Sequence, residues 1–140
     1  MATTDAVSLK STCHCGAISL TVTRMPEMIN ECQCTICRRY AAAWAYYYSN
    51  EIDFQQKGKT KTYVWGDGDL EFHFCETCGC VVYWWRILAG ADGIHEVGIN
   101  SRNMNPMEVL LVERRIQYDT LVGAIRDGSL KHPDDIAKYV

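Results

Sequence analysis

The chain has 140 residues, of which 48% are apolar and 22% are charged, a size and composition typical of one globular domain. Its 14 basic and 17 acidic residues give a net charge of −3. Phosphate neutralisation provides most of the affinity for nucleic acid, so an acidic chain without a basic block argues against a nucleic-acid partner. No apolar run approaches the roughly 20 residues of a membrane span, so no membrane partner is expected.

The N-terminal end is polar and rich in small residues. We expect a loose leader over residues 1–10, followed by a single domain over residues 11–140. The leader lacks the apolar core of a secretory signal. We therefore expect a cytoplasmic protein whose cysteines stay reduced.

Several segments have the alternation or the aromatic content of β-strands, and turn signals separate them. The alternation is clearest where Ile18, Leu20 and Val22 are predicted to face a core. The glycine and aspartate residues at 66–69 predict a hairpin between two aromatic runs. The predicted strands are residues 17–23, 44–49, 61–65, 70–74, 81–88 and 94–99.

The C-terminal end changes from strand patterns to helix patterns. Asp119 is a favourable N-cap for a helix that reaches about Arg126, and Gly128 follows as a stop signal. Pro133 and Asp134 predict the start of a second short helix. The chain is therefore predicted to be mainly β, built of small antiparallel sheets, with short helices near the C-terminus.

The eight cysteines fall into three tight groups, at residues 13–15, 32–37 and 75–80. Cysteines two residues apart are poor disulfide partners because the bridge would be strained, but their sulfurs can chelate one metal ion. The CxxC turn of Cys75 and Cys78, combined with Cys13 and Cys15, could supply the four sulfurs of a closed structural zinc site. Buried free thiols are the alternative, which the paired chelating spacings disfavour.

The middle group offers three thiolates within a short stretch, from Cys32, Cys34 and Cys37. Three protein ligands and one open position are typical of a catalytic zinc site, where a substrate thiol would lose its proton. A closed structural site with Cys80 as its fourth ligand is the alternative. We disfavour it because strand alternation turns Cys80 to the same side as Cys78, toward the first site.

Arg38 and Arg39 follow the middle group directly. Guanidinium groups bind carboxylates through paired hydrogen bonds, so these residues are predicted to bind a substrate carboxylate, with plain surface charge as the alternative. Most large aromatic residues are expected in the core, and some could form the wall of a pocket. The aromatic candidates are Trp44, Tyr46, Tyr48, Trp84 and Trp85.

The order of the motifs CxCG, CxCxxCRR and FCxxCG, which begin at Cys13, Cys32 and Phe74, resembles the glutathione-dependent formaldehyde-activating enzymes, the domain family of centromere protein V. The resemblance extends from Cys13 to about Asn105. It implies a β-tent fold with a structural Zn²⁺ and a catalytic Zn²⁺, the second of which need not be fully occupied. The implied ligands are Cys13, Cys15, Cys75 and Cys78 for the structural ion, and Cys32, Cys34 and Cys37 for the catalytic ion.

The activity that the resemblance implies is a carbon–sulfur lyase reaction, in which glutathione and formaldehyde form or release S-(hydroxymethyl)glutathione. The implied partners are a small thiol such as glutathione and a small aldehyde, and a homodimer stays an open hypothesis. Two alternatives also stay open: a lyase acting on a bulkier thiol adduct, and a non-catalytic zinc-stabilised module that binds a protein. A pure scaffold would need only the four-cysteine site, so the middle group favours an enzyme.

Overall fold

The computed structural model describes residues 7–117, in which ten strands are the main elements. The first five strands are β1 (Leu9–Thr12), β2 (Ile18–Val22), β3 (Ile29–Cys32), β4 (Trp44–Tyr48) and β5 (Ile52–Gln56). The other five are β6 (Thr60–Val64), β7 (Leu70–Cys75), β8 (Val81–Arg86), β9 (Glu96–Asn100) and β10 (Arg114–Gln117). A one-turn helix, α1, spans Cys37–Tyr40, and 3-10 turns span Ser49–Glu51 and Ser101–Asn103. No helix in this part of the chain is long and apolar enough to cross a membrane.

The strands form two sheets. The smaller sheet has the order β1-β2-β5, and the larger sheet has the order β10-β3-β4-β9-β8-β7-β6. Neighbouring strands are antiparallel, with the exception of β10, which runs parallel to β3. The prediction of a mainly β fold of small antiparallel sheets is therefore confirmed.

The predicted strands coincide with β2, β4, β6, β7, β8 and β9, and their ends differ by at most two residues. The predicted hairpin at residues 66–69 is confirmed as the connection between β6 and β7. The first strand, β1, begins at Leu9, whose side chain is buried, so it starts within the last two residues assigned to the leader. The division into a leader and a single domain stays a prediction. The helices predicted from Asp119 and Pro133 lie outside the described residues.

One face of the large sheet packs against the small sheet and forms the main core. Ile18, Leu20 and Val22 of β2 are buried there, as their alternation predicts. They belong to the same apolar cluster as Val97 and Ile99 of β9. Burying an aliphatic side chain of this size stabilises a fold by about 2 kcal/mol, so this contact holds the two sheets together.

The opposite face of the large sheet carries a second cluster, built mainly of aromatic rings. Gly98 lies between Tyr46 and Trp84 on neighbouring strands of this face. A Cβ atom at Gly98 would lie 2.1 Å from Nε1 of Trp84, far inside van der Waals contact. The missing side chain therefore lets the Trp84 indole lie across the glycine backbone toward Tyr46.

We expect the substitution Gly98→Ala to displace the Trp84 indole, because the new methyl group would occupy its place. Such overpacking should lower the free energy of unfolding by about 1–3 kcal/mol. Chemical denaturation followed by tryptophan fluorescence measures both the loss of stability and the changed environment of the indole.

Gly90→Ala is the matched control, because the nearest atom to its new methyl group would be the carboxylate oxygen of Asp92 at 3.1 Å. That side chain can move away at little cost. Unchanged stability and unchanged emission in Gly98→Ala would contradict the packing described for Trp84.

Candidate metal centres and the adjoining cleft

Four cysteine sulfurs from two turns of the chain meet at one place. The sulfurs of Cys13, Cys15, Cys75 and Cys78 all lie within 4.8 Å of one another. The Sγ atom of Cys15 is 3.6 Å from the Sγ atoms of both Cys13 and Cys75. In a tetrahedral site with zinc–sulfur distances of about 2.3 Å, neighbouring sulfurs are about 3.8 Å apart. The spacing and the donor atoms of this group therefore fit a zinc ion.

The backbone of the CxxC turn favours the thiolate form of Cys75. Gly79 has a φ angle of +76°, a conformation that L side chains rarely adopt, and its N–H donates to the Cys75 carbonyl at 2.9 Å. The pKa of the Cys75 thiol is lowered, first by a hydrogen bond from the backbone N–H of Cys78 and further by that of Thr77, against the opposing effect of burial. A metal ligand must be deprotonated, so this turn is suited to binding a metal ion.

Cys80 is outside both groups of cysteines that lie close enough together to hold a metal ion. Its side chain packs against the same core cluster as Cys78, next to the four-cysteine group. This position agrees with the prediction from strand alternation. The alternative in which Cys80 closes the middle group has no support in the geometry.

The middle group is built locally at the start of α1. Cys32 ends β3, Cys34 lies in the turn and Cys37 begins the helix, and their three sulfurs lie within 4.8 Å of one another. The backbone N–H of Cys37 donates to the Cys34 sulfur at 3.4 Å. The indole Nε1–H of Trp44 donates to the Cys37 sulfur at 3.3 Å. Three sulfurs are thus positioned together by a turn and by one buried side chain.

The three thiols differ in how readily they lose a proton. Hydrogen bonds from Cys32, and next from Cys37, lower the pKa of the Cys34 thiol to about 2. Donating hydrogen bonds to Cys32 and Cys34, together with burial, raises the pKa of the Cys37 thiol. Three neighbouring thiolates repel one another, so full deprotonation of the group requires a cation to balance the charge. The donor set therefore fits a metal ion that has three protein ligands.

The chain after α1 directs Trp44 back onto the cysteines. Ala41 ends the helix with a φ angle of +52°, in the left-handed region that usually favours glycine. The N–H groups of Ala41 and Ala42 donate to the carbonyls of Arg38 and Cys37, which closes the helix. A non-glycine residue in this conformation costs about 1 kcal/mol. The turn that requires this conformation of Ala41 places Trp44 in contact with Cys37.

A cleft of about 390 Å³ opens next to the middle group. Its lining is largely apolar and aromatic, as is typical of small-molecule sites. The lining residues are Cys32, Cys34, Ile36, Cys37, Trp44, Tyr46, Trp65, Gly66, Asp67, Leu70, Phe72 and Trp84. The prediction that some aromatic residues form a pocket wall is thus confirmed for Trp44, Tyr46 and Trp84. Trp85 points to the opposite face of the sheet, where it packs near Phe54 and His95.

Sequence patterns do not predict the part of the cleft that comes from the β6–β7 hairpin. Those patterns place Trp65 at a strand end, Asp67 in a turn and Phe72 within a strand, and they give none of the three a role in a site. Each of these residues is more than 25 positions from the middle cysteines in the chain. No local pattern predicts their meeting, because it depends on the order of strands in the large sheet.

Arg38 and Arg39 are exposed and are not among the residues that line the cleft. The guanidinium group of Arg39 donates from Nη1 to the carbonyl oxygen and the hydroxyl oxygen of Thr35, both at 2.7 Å. This arrangement turns Arg39 back onto its own helix. A role of the two arginines in binding a substrate carboxylate stays a prediction.

The two groups should respond differently to loss of one cysteine. Cys75→Ser removes a ligand of the four-cysteine group, so we expect it to lose one zinc equivalent and to unfold at a clearly lower temperature. Cys34→Ser should lose one zinc equivalent while keeping cooperative unfolding close to that of the wild type. Metal analysis and calorimetry on the same samples measure both effects, and an equal loss of stability in the two variants would contradict the distinction.

Trp44→Phe should weaken metal binding at the middle group, because it removes the N–H donor to Cys37 while keeping an aromatic ring. Loss of such an outer partner typically costs at least about tenfold in metal affinity. Competition with a chromogenic chelator measures the change. Trp65→Phe is the control, since Trp65 lines the same cleft, and equal affinities in the two variants would argue against the role of the N–H group.

Comparisons with known proteins agree with this arrangement. The family model described as glutathione-dependent formaldehyde-activating enzyme matches residues 8–108. The crystal structure of a Rhodobacter sphaeroides protein is similar, with a TM-score of 0.59 and 25% sequence identity over 76% of this chain and 99% of the other. None of the curated proteins matches this chain significantly. The family match covers most of the chain and both cysteine groups, so the chain belongs to the glutathione-dependent formaldehyde-activating enzyme family.

Proposed function

We propose that the chain is a zinc-dependent carbon–sulfur lyase that forms and cleaves the adduct of a small thiol with a small aldehyde, with glutathione and formaldehyde as the first candidates. The observation that carries the proposal is the position of the middle cysteine group. Cys32, Cys34 and Cys37 border a cleft large enough for a small molecule, and the three sulfurs leave one ligand position available. A purely structural site would have no need of such a cleft.

The proposed reaction joins two molecules that bind side by side. The substrate sulfur attacks the aldehyde carbon, a carbon–sulfur bond forms, and the carbonyl electron pair moves to the oxygen, which takes up a proton. Cleavage of the adduct is the reverse. A zinc ion bound by the three cysteines would supply positive charge that favours the thiolate form of the substrate.

The chain's own residues would orient the reactants and limit contact with water. The aromatic walls of the cleft surround the reacting atoms, and the Trp44 N–H holds the Cys37 sulfur in place. Orientation of two reactants can supply several kcal/mol of the barrier reduction, so we assign most of the rate to positioning. Three thiolate ligands already offset the charge of a divalent cation, which limits its power to polarise a carbonyl.

Tyr46 is the candidate hydrogen-bond donor to the aldehyde oxygen. Its ring lines the cleft, and its hydroxyl oxygen accepts a hydrogen bond from Nδ2 of Asn30 at 2.6 Å. Burial raises the pKa of the Tyr46 hydroxyl, so the group stays protonated near neutral pH and keeps a proton to donate. The bond to Asn30 would fix the direction of that donor.

A lyase acting on a bulkier thiol adduct is the second candidate. The observation that favours it is a further cavity of about 400 Å³, which shares Tyr46 and Trp84 with the cleft. The two spaces together exceed what formaldehyde and a simple thiol require. A non-catalytic binding module would not account for three cysteines beside an aromatic cleft.

Exchange spectroscopy by NMR on glutathione with isotope-labelled formaldehyde tests the activity directly. We expect zinc-loaded protein to accelerate the exchange by at least about tenfold over the spontaneous rate, equivalent to about 1.4 kcal/mol of barrier. The acceleration should be lost in Cys34→Ser, since that variant lacks one ligand of the middle group.

Cys80→Ser is the matched control, because this cysteine lies outside both groups and its substitution should leave the exchange rate unchanged. Full acceleration in Cys34→Ser would overturn the role given to the middle group. No acceleration by protein loaded at both groups would reject this thiol and aldehyde as the substrates.

A further inference from the structure

A second cavity of about 400 Å³ adjoins the cysteine cleft. Tyr46 and Trp84 line both spaces, with their ring centroids 6.0 Å apart, so this aromatic pair is the common border of the two spaces. We call the second space the tyrosine cavity. Its lining includes Tyr46, Tyr48, Trp84, Arg24, Glu27 and Glu96.

Arg24 is the one basic residue among the described residues that line the tyrosine cavity, and it already forms an ion pair. The Arg24 guanidinium donates to the two carboxylate oxygens of Glu51 at 2.7 and 3.1 Å. It also lies over the Tyr47 ring, 4.7 Å from the ring centroid. Its positive charge is therefore compensated and is poorly available to an anionic ligand.

The acidic residues of the tyrosine cavity exceed their basic partners. Glu96 accepts from Arg86 at 2.6 Å, but Arg86 also pairs with Asp69 at 3.0 Å and so serves two carboxylates. Glu27 is exposed, and no basic group within residues 7–117 forms an ion pair with it. The excess of carboxylates favours a cationic ligand over an anionic one.

The aromatic walls point to the same ligand charge. Tyr46, Tyr48 and Trp84 line this space, and aromatic rings attract ammonium groups through the cation–π interaction. Carboxylates at the rim and aromatic rings at the wall form a combination that recognises a protonated amine.

The distance along β4 between the cysteine cleft and the tyrosine cavity suits a single ligand molecule. Along β4, Trp44 lines the cysteine cleft, Tyr46 lines both spaces, and Tyr48 lines the tyrosine cavity. At about 3.3 Å per residue, these three positions extend over about 13 Å. Tyr46 is about 7 Å from Trp44 along the strand. A thiol separated from its amino group by two to three residues' length of extended chain, at about 3.5 Å each, spans about 7–10 Å and so places that group between Tyr46 and Tyr48.

We propose that the tyrosine cavity binds the protonated amino group of the thiol whose sulfur lies at the middle cysteines, so that the substrates are thiols carrying an ammonium group at the far end. The inference rests on the proposed function for the position of the sulfur. It assigns substrate selection to Glu27 and to the aromatic rings of the cavity. Removal of the positive charge, without any change at the sulfur, should weaken binding.

Calorimetric titration with S-methylglutathione and with its N-acetyl derivative tests the proposal. Both probes are thioethers that cannot react, so their binding is measured whether or not the protein turns over an aldehyde. We expect the N-acetyl derivative to bind about five- to tenfold more weakly to the wild type, because it lacks the ammonium charge. Glu27→Gln should reduce this preference, in the manner of a double-mutant cycle.

Asp53→Asn is the matched control, because it removes one negative charge from an exposed position on β5, outside the tyrosine cavity, and should keep the preference. Equal affinity for the two probes, no binding of S-methylglutathione, or an unchanged preference in Glu27→Gln would each overturn the assignment. A clear preference in a protein that shows no exchange activity would support the cavity and reject the proposed reaction. Exchange activity with equal affinity for the two probes would support the proposed reaction and reject the role of the cavity.

Discussion

The meeting of four cysteine sulfurs from two distant turns is the constraint on which the rest of the structure depends. Cys15 and Cys75 are 60 positions apart in the chain, yet their sulfurs lie 3.6 Å from each other. The first turn joins β1 to β2 in the small sheet, and the second joins β7 to β8 in the large sheet. A metal ion bound there would therefore link the two sheets at one end and add to the apolar contact between them.

The two faces of the large sheet have different structural roles. One face is covered by the small sheet and contributes to the main core. The other face carries a cluster of largely buried aromatic rings, and Gly98 allows the Trp84 indole to lie low enough to form part of a cleft wall. Trp44 packs in this second cluster, where its ring is buried while its N–H reaches the Cys37 sulfur. Stability and the candidate site are thus built from the same side chains.

Local patterns in the sequence predicted the elements whose own residues carry the signal. The alternation around Leu20 predicted β2 and its buried face, and the glycines near residue 66 predicted the β6–β7 hairpin. The strands that escaped prediction are short or exposed. All four side chains of β10 are exposed, and this strand exists through parallel pairing with β3, which no local pattern reveals. Only two of the four residues of β3 are buried, so its alternation is weak.

The sequence by itself determined the two groups of cysteines, because ligand spacing of two or three residues is a local property of a turn. It also determined the mainly β character of the chain. Only the tertiary structure decided what surrounds those sulfurs. The cleft brings together Cys34, Trp65 and Phe72 from separate strands, and Arg39 turns back to Thr35 although the sequence places it beside the sulfurs. Strand order and side-chain direction depend on long-range packing, which adjacent residues along a chain do not encode.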